Sequence, residues 1–284
     1  MEKDTSGRHP ESHIKPLGLV ERIGLLYYVA QAQFPPRYRI PILANRHFLN
    51  LVWDISRGKV ASQAPSKLRY KVFPDYETRA TGLENIPKNG SFIIASNHYS
   101  QGPLKGSWQT MAIADVVLEK MPNRNKRHFR FIMDSEKDST GIFGETIRHE
   151  FQKRQSHTLH NIAATLDYLP LNKKRKVLEL LHQRQEGQEI IGIFPTGKAE
   201  FTFKTPASKE AGNFFEIAGR YDIPVLHIGA WHDGRKKTFI INIGEATVYK
   251  ENLNDPNSKH ITAEKVMLNI ASLLPPKMRG IYSS

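Results

Sequence analysis

Two short runs in this chain, Phe92-Ile-Ile-Ala95 and Ile190-Ile-Gly-Ile-Phe194, contain no polar residue, and that continuity restricts the fold more than any other feature. A strand with one wet face alternates polar and apolar positions, whereas an unbroken apolar run belongs to a strand covered on both faces. Around these runs, extended signals at 76–80, 129–133, 168–171, 225–230 and 238–243 alternate with helical ones at 108–121, 160–166, 177–185, 207–221 and 262–274. Alternation of this kind predicts an α/β fold, a mixed and largely parallel sheet covered by helices. No internal repeat or low-complexity tract competes with that reading.

The main α/β domain is expected to occupy residues 63–284, entered through a stretch that carries Pro65 and Pro74. Residues 1–16 are polar, lack the basic-then-apolar order of a secretory signal, and read as a disordered tail. Residues 17–62 read as an N-terminal helical appendage. Its apolar stretch Ile23-Gly-Leu-Leu-Tyr-Tyr-Val-Ala30 is hemmed by Glu21, Arg22, Gln31 and Gln33, inside the ~20 residues that a spanning helix needs, so no transmembrane helix is expected. Further on, Leu43, Phe48, Leu51 and Trp53 are interleaved with Arg37, Arg39, Arg46, His47 and Arg57. That mixture suits a bilayer interface, and equally a helix packed on the main domain with its basic flanks in water.

With 41 Lys and Arg against 28 Asp and Glu, the chain carries +13 and favours an anionic partner. Phosphate-bearing substrates, anionic bilayers and nucleic acids all qualify on charge. Basic clusters at 124–127, 173–176 and 235–237 come without zinc-finger spacing or an RNP pattern, so nucleic acid is not expected. The absence of cysteine removes disulfides, thiol catalysis and Cys-ligated zinc, and is compatible with a reducing cytosol. No Gly-x-Ser-x-Gly elbow presents a serine nucleophile, and no cluster of metal ligands stands out.

Chemistry enters at the ends of the two apolar runs. Asn97-His98 follows the first, where a strand delivers a side chain to a cleft edge, and histidine takes and returns a proton near neutrality. The second runs into Pro195-Thr-Gly-Lys198. A glycine there lets backbone N–H groups approach an anion and the lysine adds charge, although the spacing is not that of a Walker loop.

Taken in order, these segments resemble the lysophospholipid and glycerophosphate acyltransferases, which convert lysophosphatidic acid to phosphatidic acid. The resemblance covers roughly residues 76–282. Ile93-Ile-Ala-Ser-Asn-His98 resembles the approach to that family's Asn-His-x4-Asp block, Phe194-Pro-Thr-Gly197 its Phe-Pro-Glu-Gly block, and Ile223-Pro-Val-Leu-His-Ile228 its later Ile-Pro-hydrophobic block. Leu169-Pro-Leu-Asn172, Ile243-Gly-Glu245 and the terminal 273–282 segment add to it. The resemblance implies that His98 deprotonates an acceptor hydroxyl, which attacks an acyl thioester of coenzyme A or acyl carrier protein. It also implies that Asn97, Pro195, Thr196, Gly197 and Lys198 bind substrate, with Lys198 on the acceptor's phosphate. No bound cofactor is implied; the partners are the lysophospholipid, the thioester donor and an anionic membrane surface, met at its cytoplasmic face.

Departures from the pattern concern the histidine's partner and the phosphate turn. The family's aspartate falls here at Pro103, and its glutamate at Thr196, with Lys198-Ala-Glu200 following. Orientation of the imidazole then passes to Gln109 or Asp115 on the next helix, or to a carboxylate from another strand end, Glu136 or Glu200. The remaining reading is a homologue that binds acyl lipid or acceptor without turnover.

Overall fold

The computed structural model describes residues 46–57, 75–99, 107–122, 128–133, 169–170, 189–250 and 257–283, with residues 18 and 71. Strands β1 (Glu77–Thr81), β2 (Phe92–Ser96), β3 (His128–Met133), β4 (Leu169–Pro170), β5 (Glu189–Ile193), β6 (Val225–Asp233) and β7 (Thr238–Thr247) form one sheet. Its order is β1-β7-β6-β2-β5-β3-β4. Every pairing is parallel except β6 with β7, so β1 and β7 run against the rest. The fold is the expected mixed, mostly parallel α/β arrangement.

The apolar runs take the covered central places. All five residues of β2 are buried, as are all five of β5. They pair with each other from Phe92↔Ile190 to Ala95↔Ile193, and β6 lies on the other side of β2. Edge strand β1 alternates exposed and half-buried positions, as a strand with little cover must.

Helices α1 (Arg46–Ser56), α2 (Ser107–Lys120), α3 (Lys209–Arg220), α4 (Ser258–Ser272) and the short α5 (Pro276–Arg279) accompany the sheet. The start of α3 is set by Ser208, whose hydroxyl accepts from the Ala211 amide, and Arg220 lies in its last turn, where a cation complements the helix dipole. Its buried Ala211, Phe214, Phe215 and Ala218 recur at helical spacing. In the predicted appendage, α1 buries Phe48, Leu51, Val52 and Ile55. The Phe48 ring lies 6.4 Å from Trp108 of α2, while Leu49 and Trp53 face outward. Among the described residues no helix is long and apolar enough to cross a membrane.

Strands β6 and β7 run past the expected ends at 230 and 243, reaching Asp233 and Thr247. They pair with each other as a hairpin, and their extensions carry polar and half-exposed positions that a search for apolar runs passes over. Helix α4 likewise begins at Ser258, before the expected 262. The tail at 1–16, most of 17–62 and the helical signals at 160–166 and 177–185 lie outside the described residues.

The centre and edge of this sheet should differ sharply in tolerance. Ile93 is fully buried in β2, so Ile93→Ala should lower unfolding free energy by about 2–5 kcal/mol in urea titration. Arg79, on edge strand β1, makes only an exposed ion pair with Glu77, and Arg79→Ala should stay within ~0.5 kcal/mol of wild type.

Candidate functional site

Beyond Ser96 the main chain of β2 leaves the ladder but not the interior, since Asn97 is 3% exposed. Its backbone groups therefore need partners other than water. The Asn97 side chain continues the strand pairing in place of the backbone: its Oδ1 accepts from the Ala230 amide and its Nδ2 donates to the Ala230 carbonyl, each at 2.8 Å. Gln109 of α2, fully buried, closes the other side. Its Oε1 accepts from the Tyr99 amide at 2.9 Å and its Nε2 donates to the Asn97 carbonyl. Residue 98 is thus held between a carbonyl and an amide bound to the same carboxamide.

The turn after β5 is joined to this segment on both flanks. The ladder ends at Ala95↔Ile193, and pairing resumes at Tyr99↔Glu200, where the Glu200 amide donates to the His98 carbonyl at 2.8 Å. Between these stitches the longer 194–199 stretch must loop outward. It does so as a turn in which the Gly197 amide donates to the Phe194 carbonyl at 3.0 Å. Gly197 has φ of 64°, a left-handed conformation that favours glycine. Thr196 folds its hydroxyl back, donating to the Lys198 carbonyl at 3.0 Å. Lys198 is exposed.

The imidazole of His98 lies against Phe194, with centroids 4.3 Å apart and planes 7° from parallel. Phe131 of β3 stacks in turn with Phe194, with centroids 5.0 Å apart. His98 is half-buried at the carboxyl ends of β2 and β5, the edge at which open α/β sheets present ligands sites. By contrast His227 on β6 is a core residue: its Nδ1 lies 2.9 Å from the Glu245 carbonyl and its Nε2 2.7 Å from the Tyr249 hydroxyl. Burial pushes its pKa down against the Glu245 contact, which keeps it neutral.

His98, Asn97, Pro195, Thr196, Gly197 and Lys198 fall together just beyond the carboxyl ends of β2 and β5. Asn97 has both amide atoms on Ala230, and Gln109 grips the main chain on either side of His98 rather than the ring. Asp115 is half-buried, about 9 Å further along α2 than Gln109. The carboxylate of Glu200 is engaged locally, by the amides of Lys204 and Thr205 and the Thr205 hydroxyl at 3.0, 3.2 and 2.6 Å. Glu136 and Pro103 lie outside the described residues. Among the described residues no group of three or more His, Asp and Glu could hold a metal ion.

Sequence reasoning passed over the aromatic contact. Phe194 reads only as part of a motif, and Phe131 as one apolar position in a strand. The available signal was Gly192 inside a buried strand, since a glycine there often marks the close approach of another group.

No protein-family model matches the chain, and no curated protein matches its sequence. Among solved structures, the chain is similar to the crystal structure of the 1-acyl-sn-glycerophosphate (LPA) acyltransferase, PlsC, from Thermotoga maritima. Identity is 18% and the TM-score 0.42, over 90% of this chain and 96% of that one.

Asn97→Ala leaves the buried Ala230 N–H and C=O unpaired and should cost about 2–5 kcal/mol in urea titration. Gln109→Glu should not substitute for glutamine, because a carboxylate has no proton to give the Asn97 carbonyl; recovery of wild-type stability by this variant would contradict the clamp. Glu200 generates a pH prediction. Burial raises its pKa, but the bonds from Thr205 and Lys204 and the charge of Lys198 outweigh that and hold it below the ordinary 4.5. Its contribution is therefore complete above that value and disappears as pH falls through the depressed one. Glu200→Gln should be less stable than wild type near pH 7, with the gap closing below about pH 4.

Proposed function

We propose that this chain transfers an acyl group from acyl-CoA or acyl-ACP to the hydroxyl of a lysophospholipid such as lysophosphatidic acid, giving phosphatidic acid. The observation that carries the reading is the meeting of His98 with the Phe194 to Lys198 turn at one strand edge. A proton acceptor there stands beside a turn that bears an exposed cation. His98 takes the proton of the acceptor hydroxyl as its oxygen attacks the thioester carbonyl. The C–O bond forms, the tetrahedral intermediate collapses with loss of the C–S bond, and the imidazolium returns its proton to the departing thiolate. Lys198 holds the acceptor's phosphate. The amides of Gly197, Lys198 and Glu200 donate to the Phe194 carbonyl, the Thr196 hydroxyl and the His98 carbonyl, which makes the Thr196 and Ala199 amides the candidate donors to the oxyanion.

Charge and the outer face of α1 support a lipid setting. The β6–β7 hairpin carries exposed Arg235, Lys236 and Lys237 at the same end of the sheet as His98. On α1, Leu49 and Trp53 are exposed, and the Arg57 guanidinium lies 5.9 Å from the Trp53 ring centre. An aromatic residue beside a cation suits the interface of an anionic bilayer, at its cytoplasmic face. The proline at position 103 supports a second reading, binding of acyl lipid or lysophospholipid without turnover.

Acyl transfer from a thioester to lysophosphatidic acid should be measurable with anionic vesicles present, and His98→Ala should reduce it by about 10²–10⁴. Equal release by wild type and His98→Ala would overturn the enzymatic reading. Saturable lysophosphatidic acid binding under that outcome would select the binding protein.

A further inference from the structure

We infer that the plane of the His98 imidazole is set by an aromatic platform, Phe194 in contact with Phe131 and seated by Gly192. The inference rests on the acyl-transfer reading for its catalytic meaning, while its geometry can be tested without activity.

The platform follows from register. In the β3/β5 ladder Phe131 is paired with Gly192. A Cβ on Gly192 would lie 2.6 Å from three carbons of the Phe131 ring, so the absence of a side chain lets that ring settle directly over β5. Phe131 is 1% exposed and has nowhere to retreat. Its ring stacks with Phe194 at 5.0 Å, and Phe194 stacks with His98 at 4.3 Å. One ring on β3 and two just past the ends of β5 and β2 thus make a chain of contacts ending at the histidine.

A carboxylate and an aromatic face restrain an imidazole differently. The carboxylate takes a hydrogen bond from a ring nitrogen and so selects a tautomer. A face restrains the plane of the ring and makes no demand on a nitrogen. The π face is also negative, so it favours the imidazolium that forms when the proton moves. Gln109 and Asn97 complete the arrangement, since they hold the main chain of 97–99 while the platform holds the ring. Phe194, Phe131 and Gly192 are accordingly positioning residues.

The test reads geometry and rate separately, using the full chain with labelled histidine and His98→Ala to assign the signal. In wild type the ring protons of His98 should resonate upfield of those of exposed histidines, because they lie over an aromatic face. Phe194→Leu should abolish that shift and Phe194→Tyr keep it. In the transfer assay Phe194→Leu should lower kcat about 10- to 100-fold with KM changed less than about threefold, and Phe194→Tyr should restore most of the loss. Gly192→Ala removes no ring but pushes on Phe131, and should reduce both the upfield shift and kcat. It carries the test if Phe194→Leu does not fold.

An unchanged His98 signal in Phe194→Leu, or in Gly192→Ala, overturns the platform, as does wild-type kcat in either. Equal impairment of Phe194→Tyr and Phe194→Leu, both folded, overturns it too. If wild type and His98→Ala are equally inactive while the shift still depends on Phe194, the acyl-transfer reading fails and the platform stands.

Discussion

A buried main chain that leaves its sheet must still satisfy every N–H and C=O, and the structure around His98 depends on how that is met. At Ser96 the β2 ladder ends while the chain stays in the interior. Asn97 answers for one neighbour by pairing with both backbone groups of Ala230, and Gln109 answers for the other by bridging the Asn97 carbonyl and the Tyr99 amide. The Glu200 amide takes the His98 carbonyl itself. Each bond is individually modest, yet leaving a buried group unmade is costly, so the set fixes one main-chain path. A half-buried histidine on that path has a defined origin for its side chain.

The second strand supplies the surroundings. Because β2 and β5 pair at Ala95↔Ile193 and again at Tyr99↔Glu200, with unequal lengths between, the β5 side must bulge. The bulge brings Phe194 onto the imidazole and turns Lys198 outward, placing an apolar face and a cation on one edge. The carboxylate nearest in sequence to that cation, Glu200, is turned to the 204–205 backbone. Lys198 is thereby left facing solvent on a chain whose overall charge is +13, an arrangement suited to an anionic acceptor.

Several elements were legible in the chain because they rest on local pattern. The continuous runs at 92–95 and 190–194 became the covered central strands, and the helices at 107–120 and 209–220 lie within a residue or two of their signals. Boundaries failed where pairing, and not apolarity, extends a strand, as at the β6–β7 hairpin. At the site, His98 and the Pro195-Thr-Gly-Lys198 turn stood out by residue type and by their place after strands. The work of Gln109 did not: a carboxamide some ten residues downstream reads equally as a partner of the ring or of the backbone, and only its distances to Asn97 and Tyr99 choose.

What the sequence determined by itself is the class of sheet and the chemistry available at its edge, because both follow from residue type and short-range order. An unbroken apolar run requires cover on both faces, and a histidine after it can move a proton. Which groups hold that histidine was decided by tertiary structure alone. Phe131 and Phe194 are 63 residues apart in the chain, and they meet only because β3 pairs with β5 in a register that sets Phe131 opposite Gly192. Register is a property of the assembled sheet, and β5, buried on both faces, lacks the polar–apolar alternation that would select it.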